Sequence, residues 1–118
     1  MKMVKNLTIS EFNKLFTMNE NVLNNNENKD SILKFTAKWC GPCKMLAPIL
    51  TKISEKYQDI SVYEIDVDEE FDLSLGFNIR SVPTMIFVSE NGKTNQQIGA
   101  LTEGQIEKLI NKYFKSGE

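Results

Sequence analysis

The stretch Ile32-Leu33-Lys34-Phe35-Thr36-Ala37-Lys38-Trp39-Cys40-Gly41-Pro42-Cys43 decides the fold, because its two halves obey different periodicities. Ile32 to Ala37 is a short, mostly apolar run of strand length. From Cys40 to Tyr57 the spacing of Leu46, Ile49, Leu50 and Ile53 is helical. The chain therefore turns from strand to helix at its two cysteines.

Working towards the N-terminus, Asn24-Asn25-Asn26-Glu27-Asn28-Lys29 reads as a polar surface loop, since these side chains compete for backbone hydrogen bonds. Before it, Met3 to Leu7 is a strand candidate. Ser10 is placed to cap a helix that carries Phe12, Leu15 and Phe16 inward and extends towards Val22 and Leu23. Towards the C-terminus, Ile60 to Val67 is a further apolar strand. Asp68, Glu69 and Glu70 suit the first turn of a helix through Leu75, closed by Gly76 and Asn78. Thr84 to Val88 and a strand ending near Ala100 are joined through Glu90-Asn91-Gly92-Lys93, a hairpin turn signature. Thr102 caps a last helix with Ile106, Leu109, Ile110 and Tyr113 or Phe114 inward, and residues 116–118 form a short polar tail. The order is βαβαβ and then ββα. It predicts an α/β fold in which a mixed sheet, with an antiparallel hairpin at one edge, carries helices on both faces.

The 118 residues, 41% of them hydrophobic and 25% charged, suit one domain spanning 1–118. A formal net charge of -2 gives no basic field for nucleic acid or for an anionic membrane, and no apolar run reaches membrane-spanning length. The first thirty residues do not resemble a secretory leader, which predicts a reducing, cytoplasmic setting. The chain contains no histidine, so Ser-His-Asp and Cys-His catalysis are excluded and the commonest metal ligand is missing. Sulfur is the main reactive group left.

On a helix, residues three apart share one face, within the Cα separation a disulfide can bridge. A thiol at a helix N-terminus meets unpaired N–H groups and the positive end of the macrodipole, both of which favour thiolate. Cys40 is thus the expected nucleophile, with minor help from Lys38 and Lys44, and Cys43 is the shielded resolving partner. Two other readings of the pair stand beside this one: half of a zinc site shared by two chains, and inert buried thiols. The helix-start position beside Trp39, Gly41 and Pro42 favours an accessible redox pair with no metal.

Phe35-Thr36-Ala37-Lys38-Trp39-Cys40-Gly41-Pro42-Cys43-Lys44 resembles the active-site segment of the thioredoxin family. The likeness continues through Ala47-Pro48-Ile49-Leu50, Ile65-Asp66-Val67-Asp68, Ile79-Arg80-Ser81-Val82-Pro83-Thr84, Asn91-Gly92 and Gly99-Ala100. It implies a thioredoxin fold and a general protein-disulfide reductase working through a mixed disulfide. It also implies no bound cofactor, electrons from NADPH through a thioredoxin reductase, and targets such as peroxiredoxins or ribonucleotide reductase, met by a monomer. Pro83 resembles the family's cis-proline opposite the cysteines, although as residues alone it reads as a proline opening a strand. Trp39, Gly41, Pro42, Val82, Pro83, Gly99 and Ala100 resemble the substrate-docking surface. Gly41-Pro42 between the cysteines resembles the reducing members of the superfamily. An oxidase or isomerase and a partner-binding module are the alternatives.

One position departs from the family. Lys34 stands where thioredoxins usually place a buried aspartate, and Glu64 stands where they often have lysine. We expect these two to pair beneath the cysteines, with Glu64 assisting proton transfer at Cys43; the plainer reading is a snorkelling lysine and an exposed glutamate.

Overall fold

Seven consecutive buried residues make β4 (Asp30–Thr36) the central strand. Its alternate side chains divide the core in two, as the period of a strand requires. The computed structural model describes residues 4–19 and 22–114. The sheet runs β1 (Lys5–Asn6), β5 (Ile60–Asp66), β4, β6 (Thr84–Val88) and β7 (Thr94–Ile98). The first three strands are parallel, and β6 and β7 close the sheet as an antiparallel pair. This is the mixed α/β arrangement expected from the sequence. Both edges are blunted, β1 by its shortness and β7 by the polar run Thr94-Asn95-Gln96-Gln97.

Helices α2 (Gly41–Lys56) and α4 (Glu103–Tyr113) cover one face, where Leu46, Leu50, Ile53, Ile106 and Ile110 pack on Ile32, Val62, Met85 and Phe87. Helices α1 (Ile9–Leu15) and α3 (Phe71–Gly76) cover the other, where Phe12, Phe16 and Leu73 pack on Leu33, Phe35 and Ile65. Each large apolar side chain so buried contributes about 1.5–3 kcal/mol. Thr102 caps α4 as expected, and Gln105 returns a bond to the Thr102 N–H to complete a capping box.

Four local expectations are corrected. The first helix is capped by Thr8, not Ser10: Thr8 and Glu11 form the capping box. That helix stops at Leu15, and Phe16–Asn19 (β2) pairs antiparallel with Val22–Asn25 (β3), so Val22 and Leu23 belong to a hairpin. Leu23 and Phe16 still reach the core, because a strand face buries them as well as a helix face would. The asparagine run is only partly a loop: Asn24 and Asn25 lie in β3, and the buried Asn25 amide donates to the carbonyls of Lys29 and Ser89. Finally, α3 begins at Phe71 rather than Asp68, because Asp66 Oδ1 accepts from the Asp68 and Glu69 N–H groups and holds those residues in a turn. Met3 and the tail 116–118 lie outside the described residues.

The turn at Glu90-Asn91-Gly92-Lys93 forms as read, with Gly92 at φ 89°. A side chain there would collide with the Leu23 carbonyl, so glycine is required both by the backbone and by the close approach of β3.

Candidate active site

The β4–α2 turn puts Cys40 at the N-cap of α2, with φ -91° and ψ 109°, and its N–H donates to the Ala37 carbonyl at 3.2 Å. Its side chain does what a serine or threonine does at other helix starts: Cys40 Sγ accepts from the Cys43 N–H at 3.2 Å. Pro42, which has no N–H to leave orphaned, occupies the first turn, and that turn has no acidic residue. The positive end of α2 is therefore directed at one sulfur atom.

Cys40 and Cys43 are joined as a disulfide with Cα atoms 5.3 Å apart, within the usual range for such a bridge. The two are packed among Ala37, Val67 and Val82. Both are more covered than an accessible pair suggests, at 4% exposure for Cys40 and 1% for Cys43. The open surface comes from their neighbours: Trp39 is 70% exposed, and Gly41 and Pro42 are exposed beside it.

Trp39 is not loose, because its Nε1–H donates to Asp68 Oδ2 at 2.9 Å. The Val82–Pro83 peptide is cis, Pro83 is buried, and its carbonyl accepts from the Gly99 N–H at 2.8 Å. The fold thus brings Val82 against the cysteines and Gly99 against Pro83, with Ala100 exposed next in the chain. Between Trp39, Val67, Val82 and α3 lies a groove of about 220 Å³ walled by Phe71, Leu75 and Ile79, with Asp68 and Arg80 also lining it. Phe71 and Leu75 escaped the sequence reading. Their signal was present: they stand four apart on a short helix whose Leu73 already faces the core.

Beneath the disulfide, Lys34 is 1% exposed and its Nζ donates to the Cys43 carbonyl at 2.9 Å. Glu64 sits opposite Lys34 in the β4–β5 register and is half-buried. Burial pushes the Lys34 ammonium below its ordinary pKa range, and the Glu64 charge raises it partly back. Both line a cavity of about 310 Å³ that also reaches Cys43 and Asp66. No group of three or more potential metal ligands is gathered among the described residues.

Comparison with known proteins agrees with this geometry. The family model Thioredoxin matches residues 5–112. The chain is 41% identical over 87 residues to a thioredoxin of Borreliella burgdorferi, covering 73% of this chain and 74% of that one. It is 38% identical over 92 residues to a thioredoxin of Ophiophagus hannah, covering 78% and 87%. Among solved structures it resembles the N21Q mutant thioredoxin from Halobacterium salinarum, with a TM-score of 0.77, 27% identity and 95% and 90% of the two chains covered. It also resembles a chain from work on thiol resolution in yeast mitochondrial 1-Cys peroxiredoxin via glutathione/thioredoxin systems, with a TM-score of 0.75, 30% identity and 92% and 94% covered. With a redox-active Cys40–Cys43 pair at the head of α2 and matches of this extent, the chain belongs to the thioredoxin family.

Proposed function

We propose that this protein-disulfide reductase works with Cys40 as nucleophile and Cys43 as resolving thiol. The observation that carries the assignment is the Cys43 N–H donating to Cys40 Sγ at an unneutralised helix N-terminus. When the pair is reduced, that donor and the helix dipole favour a thiolate on Cys40. The thiolate attacks a sulfur of the target disulfide. One target sulfur leaves as thiolate and the other stays bonded to Cys40. Cys43 thiolate then attacks Cys40 Sγ, the second target sulfur leaves with the electron pair, and the Cys40–Cys43 bond re-forms. The target has gained two electrons and the reductase has lost two.

Trp39, Gly41 and Pro42 on one side, and Val82, Pro83, Gly99 and Ala100 on the other, form the docking surface for the target chain in this reading. Exposed apolar area and nearby backbone groups suit an extended peptide. Electrons return from NADPH through a thioredoxin reductase, so the chain itself holds no cofactor. The targets are disulfide-bearing proteins such as peroxiredoxins or ribonucleotide reductase. The chemistry needs a reducing compartment, for which we propose the cytoplasm, and a monomer that presents the site. No helix among the described residues is long and apolar enough to cross a membrane.

The test is reduction of a disulfide-bonded model protein with NADPH and a thioredoxin reductase, comparing the parent chain with Cys40→Ser. Turnover is expected in the parent and loss to background in the variant. Activity retained by Cys40→Ser would overturn the choice of nucleophile.

A further inference from the structure

Three of the large apolar side chains left open to solvent stand around one groove. Trp39 is 70% exposed, Phe71 63% and Leu75 61%, and all three line the space of about 220 Å³ between the active-site turn and α3. Single exposed apolar residues are ordinary, whereas a cluster of them around one concavity marks a surface built to be covered. Phe71 and Leu75 lie outside the set of residues that resembles the family's docking surface, so the resemblance leaves their exposure unexplained. The groove also runs on from the disulfide. Val67 and Val82 pack against Cys40 and Cys43 and line the groove as well, so a chain docked at the cysteines has the groove beside it. Trp39 stands at the junction, held by its bond to Asp68.

We propose that Phe71 and Leu75 are specificity-determining residues of the reductase: with Trp39 they receive one bulky apolar side chain that a target carries close to its disulfide cysteine, beside a lysine or arginine. This rests on the reductase reading above and adds to it the kind of target sequence the site prefers.

Size and charge select that occupant. Small-molecule pockets run from about 300 to 1,000 Å³, and at about 220 Å³ this groove suits one large side chain. Its rim is mostly acidic. Asp68 and Arg80 line the groove, and Glu69, Glu70 and Asp72 lie around the start of α3. Lys38 pairs with Glu69 at 3.2 Å and Arg80 offsets one more carboxylate, which leaves an excess of negative charge. A basic residue next to the apolar one is therefore drawn in, and an acidic one is repelled. A second copy of this chain would bring the same excess to its partner, so self-association across the groove is disfavoured.

The experiment measures the second-order rate at which the reduced chain reduces disulfide-linked dimers of short synthetic peptides, in a single turnover quenched with acid and read by chromatography. Each peptide has one cysteine in a serine and glycine background, a single leucine moved through the positions flanking it, and lysine or glutamate beside that leucine. The proteins are the parent, Phe71→Ala, Leu75→Ala and the double variant. Both side chains are exposed and alanine favours helix, so native folds are expected, and circular dichroism checks them. A small aromatic disulfide serves as the reference for the chemistry alone.

The parent is expected to reduce the best leucine peptide about 10-fold faster than the leucine-free peptide, the scale of partly burying one large apolar side chain. In the double variant that advantage falls to about 2-fold or less, while the rates on the leucine-free peptide and the aromatic disulfide keep their parent values. Lysine beside the leucine is expected to give about 3-fold over glutamate at low ionic strength, fading in salt. A leucine scan that is flat in the parent, or a leucine advantage that survives in the natively folded double variant, would overturn the proposal. So would equal slowing on every substrate, because α3 would then act on the site as a whole. A parent that sediments as a dimer, which Phe71→Ala dissociates, would overturn it too and give the groove to a second copy. A parent chain that left the aromatic disulfide unreduced would instead sink the reductase reading.

Discussion

Helices α2 and α4 start on the same face of the sheet, and their N-termini are built for different ends. At α4, Thr102 and Gln105 exchange bonds in a capping box and Glu103 adds negative charge to the first turn, so both the orphan N–H groups and the dipole are satisfied. At α2 the cap is a sulfur, a much weaker acceptor than a hydroxyl, and no acidic residue stands in the first turn. One terminus is finished by its own side chains. The other is left electrostatically incomplete, and a thiolate completes it. Position 34 extends the contrast beneath α2, where a second positive charge is held under the disulfide at a cost in stability.

The sharpest way to break this contrast is to remove the resolving sulfur while keeping the cap. Cys43→Ser is expected to bring turnover to background and to accumulate a stable mixed disulfide between Cys40 and the target, detected as a covalent adduct that a small thiol releases. Turnover without an adduct would mean that Cys43 does not resolve the intermediate.

Next in size is the penalty under α2. Lys34→Met is expected to stabilise the protein at neutral pH by about 1–4 kcal/mol in denaturant unfolding, the gain seen when buried ionic groups give way to packed apolar ones. Because burial lowers the Lys34 pKa in the folded state, the unfolded chain binds the extra proton between that value and 10.5. Parent stability therefore rises with pH through that window, and the gap between parent and variant narrows. Tyr63, pushed up to about 12 mainly by burial and next by its bond to Glu27, acts in the opposite sense above pH 10, where folded-state stability falls. It is common to both proteins and cancels in the difference.

Thr102→Ala probes the finished terminus. It is expected to cost about 1 kcal/mol and to leave the rates at both cysteines unchanged, as thermal unfolding and thiol kinetics would read separately. Smallest is Lys44→Glu, which places the missing acidic charge near the start of α2. It is expected to slow Cys40 alkylation at neutral pH by about 2- to 5-fold at low ionic strength, with the effect fading in salt.

The sequence made the site more legible than its surroundings. An apolar strand running into Cys40-Gly41-Pro42-Cys43 marks β4 and α2 by local periodicity, and Thr102 and Asn91-Gly92 announce their elements by side-chain chemistry alone. The β2–β3 hairpin was hidden, because Phe12, Phe16 and Leu23 fit a helical spacing and the asparagines that pair in β3 are poor strand formers. Asn25 is tolerated there by the Lys29 and Ser89 carbonyls, and Ser89 comes from a distant part of the chain. The Thr8-Ile9-Ser10-Glu11 capping box is legible in the sequence, but Ser10, two residues on, offers a competing hydroxyl cap. Lys34 was legible as an anomaly but its contact was not: the Cys43 carbonyl lies nine residues away, across the turn. Likewise, the Asp68 that holds Trp39 and the Phe71 and Leu75 of the groove depend on how α3 docks, which periodicity does not reveal.

The contrast between the two helix starts is tested most directly by alkylating the fully reduced protein across pH and resolving the two cysteines by peptide mass. Cys40 is expected to react first, with a thiolate midpoint about one unit or more below the 8.5 of a free cysteine. A Cys40 midpoint at or above that value, or equal and slow reaction of both thiols at neutral pH, would contradict the account.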